Sequence, residues 1–263
     1  MKKLFTFLLL LVATLSESGE IREIQKLEEV HQYISSPLSN REWILFDIDY
    51  TLIESSNPVL QMNTFKVYKD RLHQEKQKLS EVQTDHLAPI VVTAAPNQLT
   101  EKDAALMVQK LIHQGATVIG FTALETSEYP DVGELPVWRD AELERLGINF
   151  VFMADSRIDF NEFPPYRGTY PLFSKGVLYA NSTISKGDTL AAFLKQVEEK
   201  PERILLVDDL LENHQTVQEE LDKLGISFLG LHYNPPVDSS KQVTDEAWKS
   251  TWDSILERLS RVR

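Results

Sequence analysis

Three apolar segments without in–out alternation, at residues 43–46, 117–121 and 203–207, predict an α/β fold built on a mainly parallel sheet. Strands that are apolar on both faces belong to sheets covered on both sides. Helix-like stretches separate the three segments, and that alternation places helices on both faces of one sheet. A third observation concerns position. The segments end in Asp47, Thr122 and the pair Asp208-Asp209, all polar and chemically capable. In open α/β sheets, ligands bind beyond the carboxyl ends of the strands.

The chain opens with Lys2 and Lys3, an apolar run over residues 4–15, and then Ser16, Glu17 and Ser18. This is the pattern of a secretory signal peptide over residues 1–18. The run is shorter than the roughly 20 apolar residues of a spanning helix. The expectation is an exported protein, periplasmic or secreted, with no membrane attachment after cleavage. The mature chain, residues 19–263, then reads as a single domain.

Residues 20–36 place Ile21, Ile24, Leu27, Val30, Tyr33 and Ile34 at steps of three and four, which predicts an amphipathic helix. Residues 43–46 are the first buried strand. Residues 58–82 read as one long helix, with Phe65, Tyr68, Leu72, Leu79 and Val82 on one face. Its basic residues Lys66, Lys69, Arg71, Lys76 and Lys78 are expected to be a solvated face. Residues 100–114 predict a helix that opens on a Thr100/Asp103 capping pair and closes at Gly115. The strand at 117–121 follows. Pro130, Gly133 and Pro136 mark residues 125–137 as a loop. A helix at 137–146 closes at Gly147, and residues 148–153 are strand-like. Residues 154–171 read as a long ordered loop, and 176–179 as a short strand. A helix at 186–197 leads to the strand at 203–207. Another helix runs to Leu224 and stops at Gly225, before a strand at 226–231. Trp248, Trp252, Ile255 and Leu259 give the tail an amphipathic helix over Asp245–Leu259.

Composition narrows the chemistry. The chain has 263 residues, 40 acidic against 27 basic, for a net charge of −13. Non-specific affinity for a nucleic-acid polymer comes from Lys and Arg neutralising phosphates, so this balance argues against such a partner. There is no cysteine, which excludes disulfides, thiolate zinc sites and a cysteine nucleophile. Of the six histidines, His73, His86, His113, His214 and His232 are scattered and share no metal-ligand spacing. Any metal must sit on oxygen or imidazole ligands.

Carboxylates just past buried strands are costly unless they are solvated, paired or bound to a cation. Two strands ending in Asp47-Ile48-Asp49 and Asp208-Asp209 would bring such acids together. A cluster of that kind favours a hard cation with oxygen ligands, such as Mg²⁺. The cation would attract a phosphate, with Lys186 and the Thr122 hydroxyl as further contacts. Each feature alone is ordinary: acids cap helices and start turns, and a lysine at a helix start is usually solvated. Their common order along the chain is what carries the reading.

In that order the chain resembles the haloacid dehalogenase (HAD) superfamily of aspartate-nucleophile phosphohydrolases. Phe-Asp-Ile-Asp-Tyr-Thr-Leu at residues 46–52 is similar to its first motif, Thr122 to its second, Lys186 in Ser-Lys-Gly-Asp to its third, and Leu-Leu-Val-Asp-Asp at 205–209 to its fourth. The resemblance covers roughly residues 40–230. It is closest to an exported bacterial branch with no assigned substrate, with some likeness to secreted bacterial acid phosphatases, and it implies a Gram-negative source.

The resemblance implies a Rossmann-like core with a small, mostly helical cap inserted at about residues 54–99. It implies an Mg²⁺-dependent phosphatase acting on a small phosphomonoester. Asp47 would be the nucleophile and Asp49 the acid and base, with Lys186 and Thr122 stabilising the phosphoryl group. Mg²⁺ would be held by Asp47, the backbone carbonyl of Asp49, and Asp208 or Asp209, the first of the two preferred. Glu212 or Asn213 would support the fourth motif from behind. Position 50 departs from the pattern, since Tyr50 stands where many relatives carry Asp, Asn or Gly. The aromatics Phe160, Phe163, Tyr166, Tyr170 and Phe173, near Arg157 and Arg167, are expected to pack the loop rather than stack a substrate.

Other readings are a non-catalytic binding or effector protein on the same fold, a receiver domain and a dinucleotide-binding dehydrogenase. A receiver domain carries its acidic pair early, whereas Asp208-Asp209 comes last. No Gly-x-Gly-x-x-Gly follows a strand, which removes the dehydrogenase.

Overall fold

The computed structural model describes residues 19–198 and 200–262. The expected signal peptide at 1–18 lies outside the described residues. In chain order, β1 (Glu20–Ile24) leads through a 3-10 turn to β2 (Glu42–Phe46). A short strand, β3 (Ile53–Ser55), opens an excursion of four helices: α1 (Met62–Val67), α2 (Lys69–Lys76), α3 (Glu81–Asp85) and α4 (Leu87–Val92). β4 (Asn97–Leu99) closes the excursion by pairing antiparallel with β3. Then come α5 (Ala104–His113), β5 (Thr117–Thr122), the small hairpin β6 (Glu128–Tyr129) and β7 (Gly133–Glu134), and α6 (Leu135–Arg145). β8 (Arg157–Asp159), β9 (Leu172–Ser174) and β10 (Val177–Tyr179) precede α7 (Lys186–Gln196). The chain ends with β11 (Arg203–Asp208), α8 (Leu211–Leu224), β12 (Ser227–Tyr233) and α9 (Asp245–Leu259).

Eight strands form the main sheet in the order β1-β12-β11-β2-β5-β10-β9-β8. From β1 to β10 every pairing is parallel, and β9 and β8 add an antiparallel edge. The predicted α/β class with a mainly parallel sheet is what the chain adopts. Alternate residues of the central strands feed opposite cores. Ile44 and Phe46 of β2, with Val207 of β11, join α5, α9 and α4 on one face. Trp43 and Leu45, with Leu206, join α7 and α8 on the other. Each face therefore has its own helical layer, which explains why these strands are apolar throughout.

Several expected elements take other forms. Residues 20–24 are an edge strand, with Glu20 opposite Leu229 and Ile24 opposite Tyr233. The helical spacing of the apolar residues there loses to the open edge of β12, which offers backbone hydrogen bonds along the whole segment. A 3-10 turn at Leu27–Gln32 keeps Leu27 and Val30 buried. The single long helix expected over 58–82 is broken at Gln61 (φ −85°, ψ 151°), at Tyr68 (φ −109°, ψ 31°) and again before Ser80. Its apolar stripe is too sparse to hold one axis, and α2 buries no residue fully. The Thr100/Asp103 capping pair does not form: Asp103 makes no cap bond, and the Thr100 hydroxyl donates to the Thr51 carbonyl at 2.6 Å. Residues 148–153 lie outside the sheet because β10 takes the place beside β5. Phe150 instead covers that strand pair. A Cβ at Gly120 would sit 2.7 Å from its ring, and one at Gly176 2.5 Å from its Cβ. The loop at 154–171 contains β8.

The connection order reverses beside β2. The chain runs from β2 to β5 and β10 on one side, then returns to β11 on the other. Such a reversal leaves a crevice at the carboxyl ends of β2 and β11, where α/β sheets bind ligands.

Candidate active site

Asp47 stands one residue past β2, and its N–H donates to the Val207 carbonyl of neighbouring β11 at 2.8 Å. Asp208 is the last residue of β11, and Thr122 ends β5 on the other side of β2. Three adjacent strands thus deliver the three motif positions to one crevice. Lys186 is the first residue of α7. Ser185 caps that helix by accepting from the Asp188 N–H at 3.0 Å. The next residue must be glycine: a Cβ at Gly187 would lie 2.0 Å from the Thr216 carbonyl oxygen of α8. That close approach seats the lysine beneath the strand ends.

Lys186 is buried, and its ammonium uses all three donors. It reaches Asp47 Oδ1 at 2.5 Å, Asp208 Oδ2 at 2.7 Å and the Phe121 carbonyl at 2.7 Å. Burial pulls the ammonium down, and Asp208 and Asp47 more than reverse that, so its pKa is raised and it stays charged. One oxygen each from Asp47, Asp208 and Asp209 lies within 4.8 Å of the others. Three carboxylates against one ammonium leave an excess of negative charge. It appears at Asp209, which burial and then the Asp208 charge push up to about 7. Burial, with Asp208 and Asp209 adding to it, also raises Asp47, while Lys186 opposes the rise.

The two acids of β11 have different surroundings. Both oxygens of Asp208 are taken. Oδ1 accepts from the Leu210 N–H and Asn213 Nδ2, each at 2.9 Å, and Oδ2 from Asn213 at 3.0 Å besides Lys186. Asp209 faces the crevice, and its backbone carbonyl accepts from His232 at 3.1 Å. Of the two supporting residues read from the sequence, Asn213 is the one that meets Asp208. Glu212 is exposed and makes no hydrogen bond to it.

Asp49 is set apart from the acid cluster. Its Oδ2 accepts from the Thr122 hydroxyl at 3.2 Å, and Thr122 Oγ1 in turn accepts from the Leu124 N–H at 3.0 Å. Its Oδ1 pairs at 2.5 Å with Arg139, a fully buried residue of α6. The sequence reading missed Arg139. It lies in a short helix with no motif, and only tertiary packing brings α6 behind the second acid. A buried arginine with a single ion pair was the available structural signal, and no local pattern encodes it.

Tyr50 adopts φ 65°, a left-handed conformation that Gly, Asn and Asp accept more readily than a tyrosine. Its N–H closes a tight turn onto the Ile53 carbonyl at 2.7 Å. The ring meets Phe65 of α1 edge-on at 5.8 Å, so the turn also joins the strand end to the helical excursion.

A cavity of about 1160 Å³ contains Asp47, Asp49, Thr122 and Asp209 at one end and runs between the loops of the sheet and α1, α2 and α4. Lys66, Lys69 and Lys76 line it. Lys66 donates to Asn234 Oδ1 at 2.8 Å, so it is not part of a purely solvated face. Arg71 and Lys78 pair elsewhere, with Asp245 and Glu75. Phe160 and Phe173 are buried against Phe193, and Arg157 pairs with Asp159, as loop packing requires. Of the loop aromatics, Tyr166 reaches the cavity among the described residues.

The chain belongs to the family described as Protein of unknown function (DUF2608), whose model matches residues 23–262. An uncharacterised protein of Rickettsia felis is 24% identical over 241 residues, covering 87% of this chain and 81% of that one. A protein of Chlamydia muridarum named putative outer membrane protein is 24% identical over 245 residues, covering 90% and 85%. Among solved structures, a phosphoserine phosphohydrolase-like protein from Francisella tularensis is 12% identical, with a TM-score of 0.34, and covers 72% of this chain and 86% of that one. Among the described residues, no helix is long and apolar enough to cross a membrane.

Proposed function

We propose that this chain is an exported, Mg²⁺-dependent phosphatase that hydrolyses a small-molecule phosphomonoester through an aspartyl-phosphate. The observation that carries the reading is the Lys186 ammonium bridging Asp47 and Asp208, with Asp49 and Thr122 in the same cavity. These five residues come from four motifs scattered from position 47 to 208.

The donor set fits a hard divalent cation. It is all oxygen, with one oxygen each of Asp47, Asp208 and Asp209 within 4.8 Å of the others and Lys186 bridging two of the three. Asp47, Asp209 and the backbone carbonyl of Asp49 would hold Mg²⁺. Asp209 replaces the sequence reading's first choice, Asp208, whose oxygens are committed to Lys186, Asn213 and Leu210. Bound there, the ion would neutralise phosphate charge.

Lys186 holds Oδ1 of Asp47 and leaves Oδ2 to attack phosphorus. An Oδ2–P bond forms as the bond from phosphorus to the substrate oxygen breaks. Asp49, once protonated, gives its proton to that leaving oxygen. It then takes a proton from the water that attacks the aspartyl-phosphate, which releases inorganic phosphate and restores Asp47. Thr122, whose one hydroxyl proton goes to Asp49 in the resting site, would turn that donor to a phosphoryl oxygen when substrate binds. Arg139 fixes the Asp49 carboxylate from behind. Helices α1–α4, carried on the β3–β4 stem, would act as the cap. Export rests on Lys2, Lys3 and the apolar run at 4–15, and the name carried by the Chlamydia relatives accords with it.

The test is turnover of a broad phosphomonoester panel with and without Mg²⁺. Asp47→Asn should lower kcat at least about a thousandfold with substrate binding retained, because it removes the nucleophile. A folded, Mg²⁺-loaded wild-type protein that turns over no member of the panel would sink the phosphatase reading in favour of a binding protein on the same fold.

A further inference from the structure

The phosphatase reading leaves most of the cavity without a task. A volume of about 1160 Å³ is larger than a phosphate with a small polar alcohol would fill, since pockets for drug-sized ligands span roughly 300–1,000 Å³. The wall away from the acids is aliphatic and aromatic, Met62 and Phe65 of α1, Leu72 of α2, and Ala88 and Val92 of α4, and Leu210 extends the apolar lining beside Asp209. None of these six is fully buried, and Leu210 is 55% exposed. A contiguous apolar surface left wet in a cleft marks a ligand or partner site. Here the surface is continuous with the phosphate-handling acids, so one molecule with a charged head and an apolar body fits it.

Three further features choose among apolar bodies. Tyr166 has one face covered by the Arg167 guanidinium at 4.8 Å, and Tyr50 is packed edge-on against Phe65. Among the described lining residues, neither of these two rings stands free of a packing partner, which disfavours a nucleobase sandwiched between them. Asp85, exposed on the loop side, disfavours an additional phosphate there, the Glu125 charge being spent on Arg167 at 3.1 Å. Lys69 and Lys76 are exposed at the rim, one helical turn either side of Leu72. Their methylene stems can lie along an alkyl chain while the ammonium groups stay in water.

We infer that the substrate is an amphiphile, a phosphomonoester on a long aliphatic chain, with its head at Asp47 and its chain along Met62, Phe65, Leu72 and Val92. The inference rests on the phosphatase reading, and the experiment separates the two. The full chain with Mg²⁺ would be assayed on butyl, hexyl and octyl phosphate below their micelle concentrations, with glucose 6-phosphate and AMP as polar comparators. Binding of butyl and octyl phosphonate, which carry no scissile P–O ester bond, would be measured by calorimetry on the same protein.

Each methylene taken out of water is worth up to about fourfold. In a partly open cleft the gain in kcat/KM from butyl to octyl should reach at least about tenfold, matched by phosphonate affinity. Leu72→Gln, or Leu210→Gln at an exposed position that leaves the fold intact, should cut the octyl-to-butyl ratio to below about threefold. Turnover that ignores chain length, or that favours AMP or glucose 6-phosphate, overturns the inference and leaves the phosphatase reading standing. Chain-length-dependent phosphonate binding with no turnover of any phosphate keeps the apolar site and overturns the phosphatase reading. Phosphonate binding that ignores chain length overturns the site itself.

Discussion

Replacing Arg139 by methionine separates holding a proton donor in place from merely filling the core. Arg139 is fully buried, and its one ion pair is with Asp49 at 2.5 Å. Its Nε and Nη1 have no hydrogen-bond partner. Removing one partner of a buried pair typically costs about 3–5 kcal/mol, because the other charge is left unpaired. Two considerations lower that figure here. The Asp49 side chain is 20% exposed, so water solvates the orphaned carboxylate. Methionine also fills the volume without the two unsatisfied N–H groups. A loss of about 1–3 kcal/mol follows, or a fall in Tm of roughly 2–10 °C at this chain length.

The activity change is more specific. A positioned general acid contributes about 10²–10⁴-fold where the leaving oxygen needs a proton. Alkyl phosphate hydrolysis should fall by about that factor in Arg139→Met, with kcat affected more than KM. Hydrolysis of p-nitrophenyl phosphate should fall less than about tenfold, because nitrophenolate leaves without protonation. The measurement is kcat and KM for both substrates on wild type, Arg139→Met and Arg139→Lys, with Lys recovering part of the alkyl rate. An equal loss on both substrates would show that Arg139 acts through general packing, and the positioning argument would fail.

Two further outcomes follow from the acid cluster. Asp209 is raised to about 7, so below that pH a proton would compete with the proposed Mg²⁺ for it, and Asp47 is raised as well. Affinity for Mg²⁺ should rise at least about tenfold per pH unit from about pH 5 to 7. Calorimetry in buffers of different ionisation heat should show at least about one proton released near pH 6, and an affinity flat in pH would refute the assignment. Lys186→Met leaves Asp47 and Asp208 buried without their shared cation. It should cost about 3–5 kcal/mol by denaturant unfolding, with part of the loss recovered on adding Mg²⁺. A near-neutral Lys186→Met would show that the two carboxylates are satisfied by other means.

Much of the framework was readable along the chain. The runs at 43–46, 117–121 and 203–207 became adjacent strands because unbroken apolar sequence is stable only between two covering layers. Gly225, at φ 68°, ended α8 as predicted, and α9 kept its predicted bounds. Other segments were ambiguous because the deciding partner is distant in sequence. Residues 20–24 have helical spacing, yet the open edge of β12, some 200 residues away, made them a strand. Residues 148–153 look like a strand, yet β10 already occupied the place beside β5, and Phe150 became its cover. The helix read over 58–82 broke at Tyr68, where a thin apolar stripe could not oppose local turns.

The candidate site divides in the same way. The residue types and their order, Asp47-x-Asp49, Thr122, Lys186 and Asp208-Asp209, belong to the sequence, and so does the expectation of an oxygen-ligated cation, since there is no cysteine and the histidines are scattered. Local sequence could also place these groups at strand ends and a helix start, because apolar runs and caps are short-range patterns. Which carboxylate is spent on Lys186 and which faces the crevice was decided only when α8 brought Asn213 against Asp208. Arg139 reached Asp49 only through the packing of α6, and the apolar wall arose only when the excursion between β3 and β4 folded over the strand ends. Hydrogen-bond saturation and cavity shape depend on atoms far apart in the chain, so they are properties of the packed molecule and not of any segment.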